Sequence, residues 1–109
     1  MKLLEEFIEA VQQRNQALDI GNAKIANRNY DKISAIRKEW EKDGIDLKEL
    51  SPLLNHEDDA VKSMTAFILL PILQSEAEET LEILSTKKGQ VSFEAEMTLK
   101  EWKKGNLKF

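Results

Sequence analysis

The residue of this sequence best suited to acid–base chemistry is His56, its only histidine. Imidazole exchanges protons readily near neutral pH, so acid–base catalysis would have to use this side chain. His56 lies in a polar turn, directly before Glu57, Asp58 and Asp59. It could act as a proton carrier or a metal ligand, or it could pack over the start of the next helix. We expect the packing role, because nothing else in the turn sets up a reaction.

The spacings typical of metal and catalytic sites are missing. The sequence has no Glu-x-x-His or His-x-x-x-His pair, and it has no cysteine for a zinc–thiolate site, a disulfide or thiol catalysis. The segment from Asp43 to Asp46 lacks the alternating oxygen ligands of a calcium-binding loop. We therefore predict no catalytic residue, no cofactor, no metal site and no enzymatic activity.

Carboxylates are better candidates for a binding surface. Residues 55–85 carry seven acids and one base, within a chain whose formal net charge is −4. Acids in a first helical turn are also favoured by the helix dipole, and a row of glutamates is often a solvated face. Stacked helices could instead bring the acids of residues 57–59 and the row of glutamates that starts at Glu76 together into one negative surface for a cationic protein. The predicted partner-binding residues of this surface are Glu57, Asp58, Asp59, Glu76 and Glu79.

Other polar and aromatic residues leave alternatives open. Asn27 and Arg28 interrupt a helical pattern, either as partner-binding residues or as local hydrogen-bonding groups. Trp40 and Trp102 fall on apolar stripes, so we expect core packing rather than interface anchors. The basic tail has no interleaved ladder of aromatic residues, and we expect it to be solvated rather than to bind phosphate; its lysines are Lys100, Lys103, Lys104 and Lys108.

Helical periodicity runs through the whole sequence, and no segment alternates as a half-buried strand does. The second helix is expected to bury Ala26, Tyr30, Ile33, Ile36 and Trp40. Asn22, Ser92 and two capping boxes, Asp46–Glu49 and Ser75–Glu78, are expected to start helices. Pro52 either kinks its helix or restarts it. The predicted helices cover residues 3–18, 23–42, 47–54, 59–70, 75–86 and 93–103.

The elements are expected to be organised around Met64–Leu73, the only long run of apolar residues, which contains no charge. Ten residues are about half of the ~20 needed to cross a bilayer, so the run predicts a buried core element and no membrane association. The fold class is all-α, with about six helices in one domain, residues 1–109. A helical hairpin would occupy residues 1–44, and stacked helix pairs would occupy residues 45–109.

Three motifs carry a resemblance to a known family. The pattern from Leu47 to Lys62, a leucine-rich helix and a polar turn before Asp-Ala-Val-Lys, resembles a HEAT-type repeat. Three segments, Asn27–Ile33, the central Ala-Phe-Ile-Leu-Leu-Pro (residues 66–71) and the ending Ser92–Trp102, are together similar to a small bacterial family of HEAT-like helical domains with no assigned activity. The resemblance implies an α–α superhelix and a bacterial origin. By analogy with other small HEAT-like proteins, it suggests an immunity partner of a secreted toxin.

The leading hypothesis is a non-catalytic, cytoplasmic protein-binding module that occludes a basic toxin domain through an acidic helical surface. The cytoplasmic assignment follows from an amino terminus that glutamates interrupt too early for a signal peptide. The alternatives are a nucleic-acid-binding HEAT-like domain, which the acidic pI of 5.1 disfavours, and a homodimeric helical protein. An enzyme centred on His56 is a further alternative.

Overall fold

The computed structural model describes residues 1–107, and in this range the chain forms helices and no strand. The all-α prediction, with about six helices, is confirmed. The chain divides into two compact units, Met1–Glu49 and Leu50–Phe109. In chain order the elements are α1 (Leu4–Asp19), α2 (Ala23–Lys42), a 3₁₀ helix (Leu47–Asn55), α3 (Asp59–Leu69), α4 (Gln74–Ser85) and α5 (Gln90–Lys103).

The first unit is an antiparallel hairpin of α1 and α2. Gly21 has a φ of 73°, which lets the chain turn sharply after α1. The Asn22 side chain then accepts a hydrogen bond from the Ile25 amide at 3.1 Å, so α2 begins where the sequence predicts. The hairpin direction follows from the contact between Phe7, near the start of α1, and Trp40, near the end of α2.

The core of this hairpin centres on Trp40, which is completely buried. Its ring packs at a tilt of 50° against Phe7, with 5.3 Å between the ring centroids. Its indole Nε1 donates a hydrogen bond to the Lys2 carbonyl oxygen at 2.7 Å, so its polar atom is satisfied in the core. Ile33 and Ile36 are buried on the same stripe of α2, as predicted.

Tyr30 was predicted to be buried, and this prediction is wrong. Its side chain is 43% exposed, and the Arg14 guanidinium lies over its ring, 5.7 Å from the centroid. Asn29 is buried in its place, and its side-chain amide donates to the Ile25 carbonyl oxygen at 3.0 Å. A helical residue that bonds back to the preceding turn satisfies its own polarity, so periodicity alone could not distinguish these neighbours.

The second unit is built on α3, which contains most of the charge-free run. Its buried residues include Thr65, Ala66, Ile68 and Leu69, and Leu70 follows them into the core. The last residue of α3 is Leu69. Leu70 still has helical backbone (φ −50°, ψ −47°), and the helix stops before Pro71, which has no amide N–H for a further helical bond. Helices α4 and α5 pack against each other, and both contact α3.

The 3₁₀ helix runs through Pro52 without a break, which answers whether the proline kinks or restarts the segment. Its start differs from the predicted capping box. The Asp46 carboxylate accepts from the Lys48 amide at 3.0 Å, while the Glu49 amide donates to the Asp46 backbone carbonyl at 3.0 Å. In a 3₁₀ turn the hydrogen bond joins residues three apart, so the Asp46 carbonyl oxygen accepts from the Glu49 amide that the Asp46 carboxylate was expected to bind.

Two other predicted helix starts are wrong. Helix α4 begins after Leu73 with no side-chain cap, so Ser75 lies inside the helix. Helix α5 begins after Gly89, and Ser92 is a buried residue of its first turn. The Ser92 hydroxyl donates toward the carbonyl oxygens of Ser85 at 3.1 Å and Lys87 at 2.8 Å. It therefore satisfies carbonyls at the end of α4 rather than amides at the start of α5.

Replacing Trp40 with phenylalanine should strongly destabilise the first unit. The change leaves the Lys2 carbonyl without its indole donor and opens a void beside Phe7. We expect the free energy of unfolding to fall by roughly 2–4 kcal/mol in urea titrations followed by circular dichroism. Tyr30→Phe, an exposed change in the same helix, should alter it by less than about 0.5 kcal/mol. Equal effects of the two changes would contradict this account of the core.

Thr65 offers a stabilising change in the second unit. Among the described residues, its Oγ1 is the buried side-chain oxygen or nitrogen that lacks a hydrogen-bond partner. Valine has nearly the same shape and removes the unpaired hydroxyl, so Thr65→Val should raise the free energy of unfolding by about 1 kcal/mol. Thr65→Ala should lower it by a similar amount, about 1 kcal/mol, because a methyl group is lost from the core. A loss of stability in the valine variant would show that the hydroxyl is in fact bonded.

Candidate functional site

A groove on the second unit is the best candidate for a functional site. It lies along the outward face of α4 and is closed on the other side by residues of the 3₁₀ helix and α3. Its volume is about 440 Å³, which is enough for one or two side chains of another molecule. The residues that line it are Ser51, Leu54, Asn55, Lys62, Glu76, Glu79, Thr80, Ile83, Leu84 and Lys87.

Two of the predicted partner-binding residues, Glu76 and Glu79, line the groove together. They are three positions apart on α4 and therefore neighbours on its surface. Both side chains are exposed, and neither carboxylate forms a salt bridge with any residue from 1 to 107. Their negative charge is therefore available to another molecule.

Asp59 approaches the groove through two lysines that line it. Its carboxylate lies 2.9 Å from the Lys87 Nζ and 3.4 Å from the Lys62 Nζ. The hydrogen bond from Lys87 and the charges of both lysines hold the pKa of Asp59 below its ordinary value of 3.8, despite some desolvation. Asp59 thus stays ionised and ties the start of α3 to the lysine that follows α4.

Asp58 and Glu57 have other positions. The Asp58 carboxylate accepts from the Ala60 amide at 2.8 Å and caps α3, while Glu57 is exposed in the preceding turn. Neither residue lines the groove. Of the five predicted acids, two therefore share the groove, Asp59 contacts two of the lysines that line it, and Glu57 and Asp58 lie elsewhere. That these acids bind a partner stays a prediction.

His56 has a structural role at the same helix start. Its Nδ1 accepts a hydrogen bond from the Asp58 amide at 3.0 Å, and its own amide donates to the Leu53 carbonyl oxygen at 3.1 Å. The ring is half-buried and does not line the groove. The expected packing role at the start of α3 agrees with these contacts.

The glutamate row of α4 faces more than one direction. The Glu78 Oε2 accepts a hydrogen bond from the Trp102 indole Nε1 at 2.8 Å and one from the side-chain Nε2 of Gln74 at 2.9 Å. The bond to Trp102 connects α4 to α5. Glu82 is exposed and does not line the groove. Glu78 therefore serves the fold, and Glu76 and Glu79 are the members of the row that serve the candidate site.

The remaining predicted positions contribute nothing to this groove. Asn27 and Arg28 are exposed on α2 of the first unit. Of the basic tail, Lys100 pairs with Glu96 at 3.3 Å, Lys103 and Lys104 are exposed, and Lys108 lies outside the described residues.

Sequence reasoning missed several residues that shape the groove. Lys62 and Lys87 give it positive charge, and Ile83 gives it an apolar surface that is 56% exposed. Ile83 could have been suspected, because it lies two positions from Leu81 and so cannot share the inward stripe of α4. The lysines gave no comparable indication, since their positions depend on how α3 packs on α4.

Within residues 1–107, no three histidine, aspartate or glutamate side chains are grouped so that they could hold a metal ion. None of the described helices is both long enough and apolar enough to cross a membrane.

Comparison with known proteins assigns the chain to a family. A family model for a domain of unknown function, DUF2019, matches residues 1–102. The chain belongs to this family. No curated protein and no solved structure matches the chain. The expectation of a helical family without an assigned activity is thus confirmed at that level for this DUF2019 chain.

The bond between Trp102 and Glu78 makes a pH-dependent prediction for this DUF2019 chain. The indole donor, then Gln74 and the nearby Lys103 charge, lower the pKa of Glu78 from its ordinary value of 4.5. Because the folded pKa is the lower one, the stabilisation by ionised Glu78 is complete above about pH 4.5 and is lost as the pH falls through the folded pKa.

Nuclear magnetic resonance can follow this titration at the indole protons. The Trp102 indole N–H resonance should shift with a midpoint below pH 4.5, the ordinary pKa of Glu78, and Glu78→Gln should abolish the shift. The Trp40 indole, bonded to the Lys2 carbonyl, should not follow this transition and is the internal control. A Trp102 midpoint at or above 4.5 would contradict the bond.

Proposed function

We propose that this chain is a non-catalytic protein-binding module that receives a cationic segment of a partner protein in the α4 groove. The observation that carries the proposal is the pair of exposed carboxylates, Glu76 and Glu79, beside the exposed Ile83. An apolar side chain flanked by charge is the usual composition of a binding anchor and its polar rim. The two lysines of the groove face one carboxylate, that of Asp59, and together with Glu76 and Glu79 these five groups carry one net negative charge.

The helix dipole explains part of this arrangement without a partner. Glu76 lies in the first turn of α4, where an acid is stabilised, and Lys87 follows the last turn, where a cation is stabilised. The dipole does not explain why Ile83 stays exposed between them, next to Leu54. Burial of Ile83 by a partner would recover roughly 1–2 kcal/mol of hydrophobic free energy.

The finer proposal concerns the identity of the partner. We propose a HEAT-like, bacterial and cytoplasmic module that acts as an immunity protein. It would cover the cationic site of a toxin domain and so exclude the substrate. A stable complex needs about 800 Å² of buried surface on each partner, so the groove would supply the anchor and the surrounding helices the rest. The net negative charge of the second unit supports this, because it accelerates the encounter with a cationic partner and repels nucleic acid.

An affinity experiment with matched charge variants tests the proposal. The intact chain, immobilised, is exposed to extract of its own cells at low salt, and retained proteins are identified by mass spectrometry. The test variant is Glu76→Gln/Glu79→Gln. The control is Glu41→Gln/Glu82→Gln, which removes two exposed carboxylates outside the groove.

We expect the wild type and the control variant to retain a protein with a basic segment. The retained amount should be at least about tenfold lower with the test variant, because two charged contacts are lost. If the protein is a toxin domain, co-expression of the wild type should restore growth and the test variant should not. Retention that is equal for both variants, or no retained protein, would contradict the proposed site.

A further inference from the structure

The groove has charge of opposite sign at its two ends. At one end, Glu76 and Glu79 carry two negative charges that no described residue neutralises. At the other end, Lys62 and Lys87 share one carboxylate, that of Asp59, and so retain one positive charge. The groove is therefore bipolar rather than uniformly acidic, although the second unit as a whole is acidic.

The lysine end can still accept another acid. The side chain of Lys87 is 49% exposed although it pairs with Asp59. A lysine ammonium has three N–H donors, and the bond to Asp59 Oδ2 uses one of them. A second carboxylate could therefore bind Lys87 without displacing Asp59.

Between the two ends lies Ile83. Glu79 and Ile83 are four residues apart on α4, a step of about 6 Å along the helix axis that places them on one face. Lys87 lies two residues beyond Ser85, the last residue of α4, and lines the same groove. Acid, apolar and basic side chains therefore follow one another along the groove.

We propose that the occupant of this groove is an amphipathic helix whose facing residues are an arginine, an apolar residue and an acid, four positions apart. The inference rests on the proposed function and names the partner segment that it requires. The arginine binds Glu76 and Glu79, the apolar residue covers Ile83, and the acid binds Lys87. Arginine suits the first end better than lysine, because its planar guanidinium can bind two carboxylates at once.

Helical geometry in the partner is favoured by the step from Glu79 to Ile83. A second helix laid along α4 repeats this ~6 Å step with positions i and i+4, and its position i+8 then lies beyond the end of α4, where Lys87 lines the groove. The partner helix can run in either direction, because only the order of its charges along the groove is fixed.

Three synthetic peptides test the inference with the intact chain. Each is an alanine- and glutamine-rich helix of about 17 residues, long enough to be helical in isolation. The three facing positions are Arg, Leu and Glu in the bipolar peptide, Arg, Leu and Arg in the cationic peptide, and Glu, Leu and Glu in the acidic peptide. Fluorescence anisotropy at low ionic strength gives each Kd, because salt screens exposed charges.

We expect the bipolar peptide to bind roughly threefold tighter or more than the cationic one, and the acidic one to bind weakest, from the usual strength of exposed ion pairs. Lys87→Gln should remove the preference for the bipolar peptide. Lys88→Gln, the neighbouring exposed lysine outside the groove, should keep it. Circular dichroism and the urea midpoint of each variant show that it is folded.

The outcomes separate this inference from the proposed function. Tighter binding of the cationic peptide would overturn the bipolar occupant and leave a cationic partner in place. No binding of any peptide, or a preference unchanged by Lys87→Gln, would also overturn it, while the extract experiment with Glu76→Gln/Glu79→Gln still decides whether the groove binds a protein.

Discussion

Burial of α3 is the constraint on which the second unit depends. The run from Thr65 to Leu70 contains no charge, and all of it except Phe67 is buried. Helix α4 must therefore present its own apolar residues, Ala77, Leu81 and Leu84, to the interior. The other faces of α4 then meet solvent. The flank that carries Glu76, Glu79 and Ile83 lines the groove together with Leu84, which borders both the core and the groove. The position of the candidate site thus follows from how α4 packs on α3.

Polar contacts fix the details that burial leaves open. Asp59 ties the start of α3 to Lys87, and Ser92 ties the start of α5 to the end of α4. Glu78 and Trp102 join α4 to α5 on another face. Each contact joins residues of different elements or their ends, so it specifies packing rather than helix formation. The carboxylates that form these contacts are held within the fold, which leaves Glu76 and Glu79 as the free carboxylates of the groove.

The sequence predicts most of the fold, because helix boundaries are local. Asn22 locates the start of α2 to the residue. The core element lies within Met64–Leu73, but only Thr65, Ala66 and residues 68–70 of that run are buried, whereas Pro71 and Ile72 are exposed. The failures share one cause. A serine such as Ser92 can cap its own helix or bind a neighbouring one, and only the packing decides between them. The same holds for Tyr30 and Asn29, where adjacent residues compete for one buried position.

The site was predicted less completely. Residues three apart on a helix are rotated by about 60°, so a row of three glutamates spans about 120° and cannot share one narrow groove. This is why Glu76 and Glu79 line the groove and Glu82 does not. The acids were recognisable from composition, whereas the opposing lysines were not, because Lys62 and Lys87 meet at Asp59 through tertiary structure.

Amide hydrogen exchange of the native chain tests the central claim that α3 is the buried core element of the second unit. Slow exchange reports amides that open only when the whole structure unfolds. The amides of Ile68, Leu69 and Leu70 should be among the slowest to exchange, and markedly slower than those in the first turn of α5. Exchange of the α3 amides at the rate of exposed turns such as residues 86–89 would contradict the account.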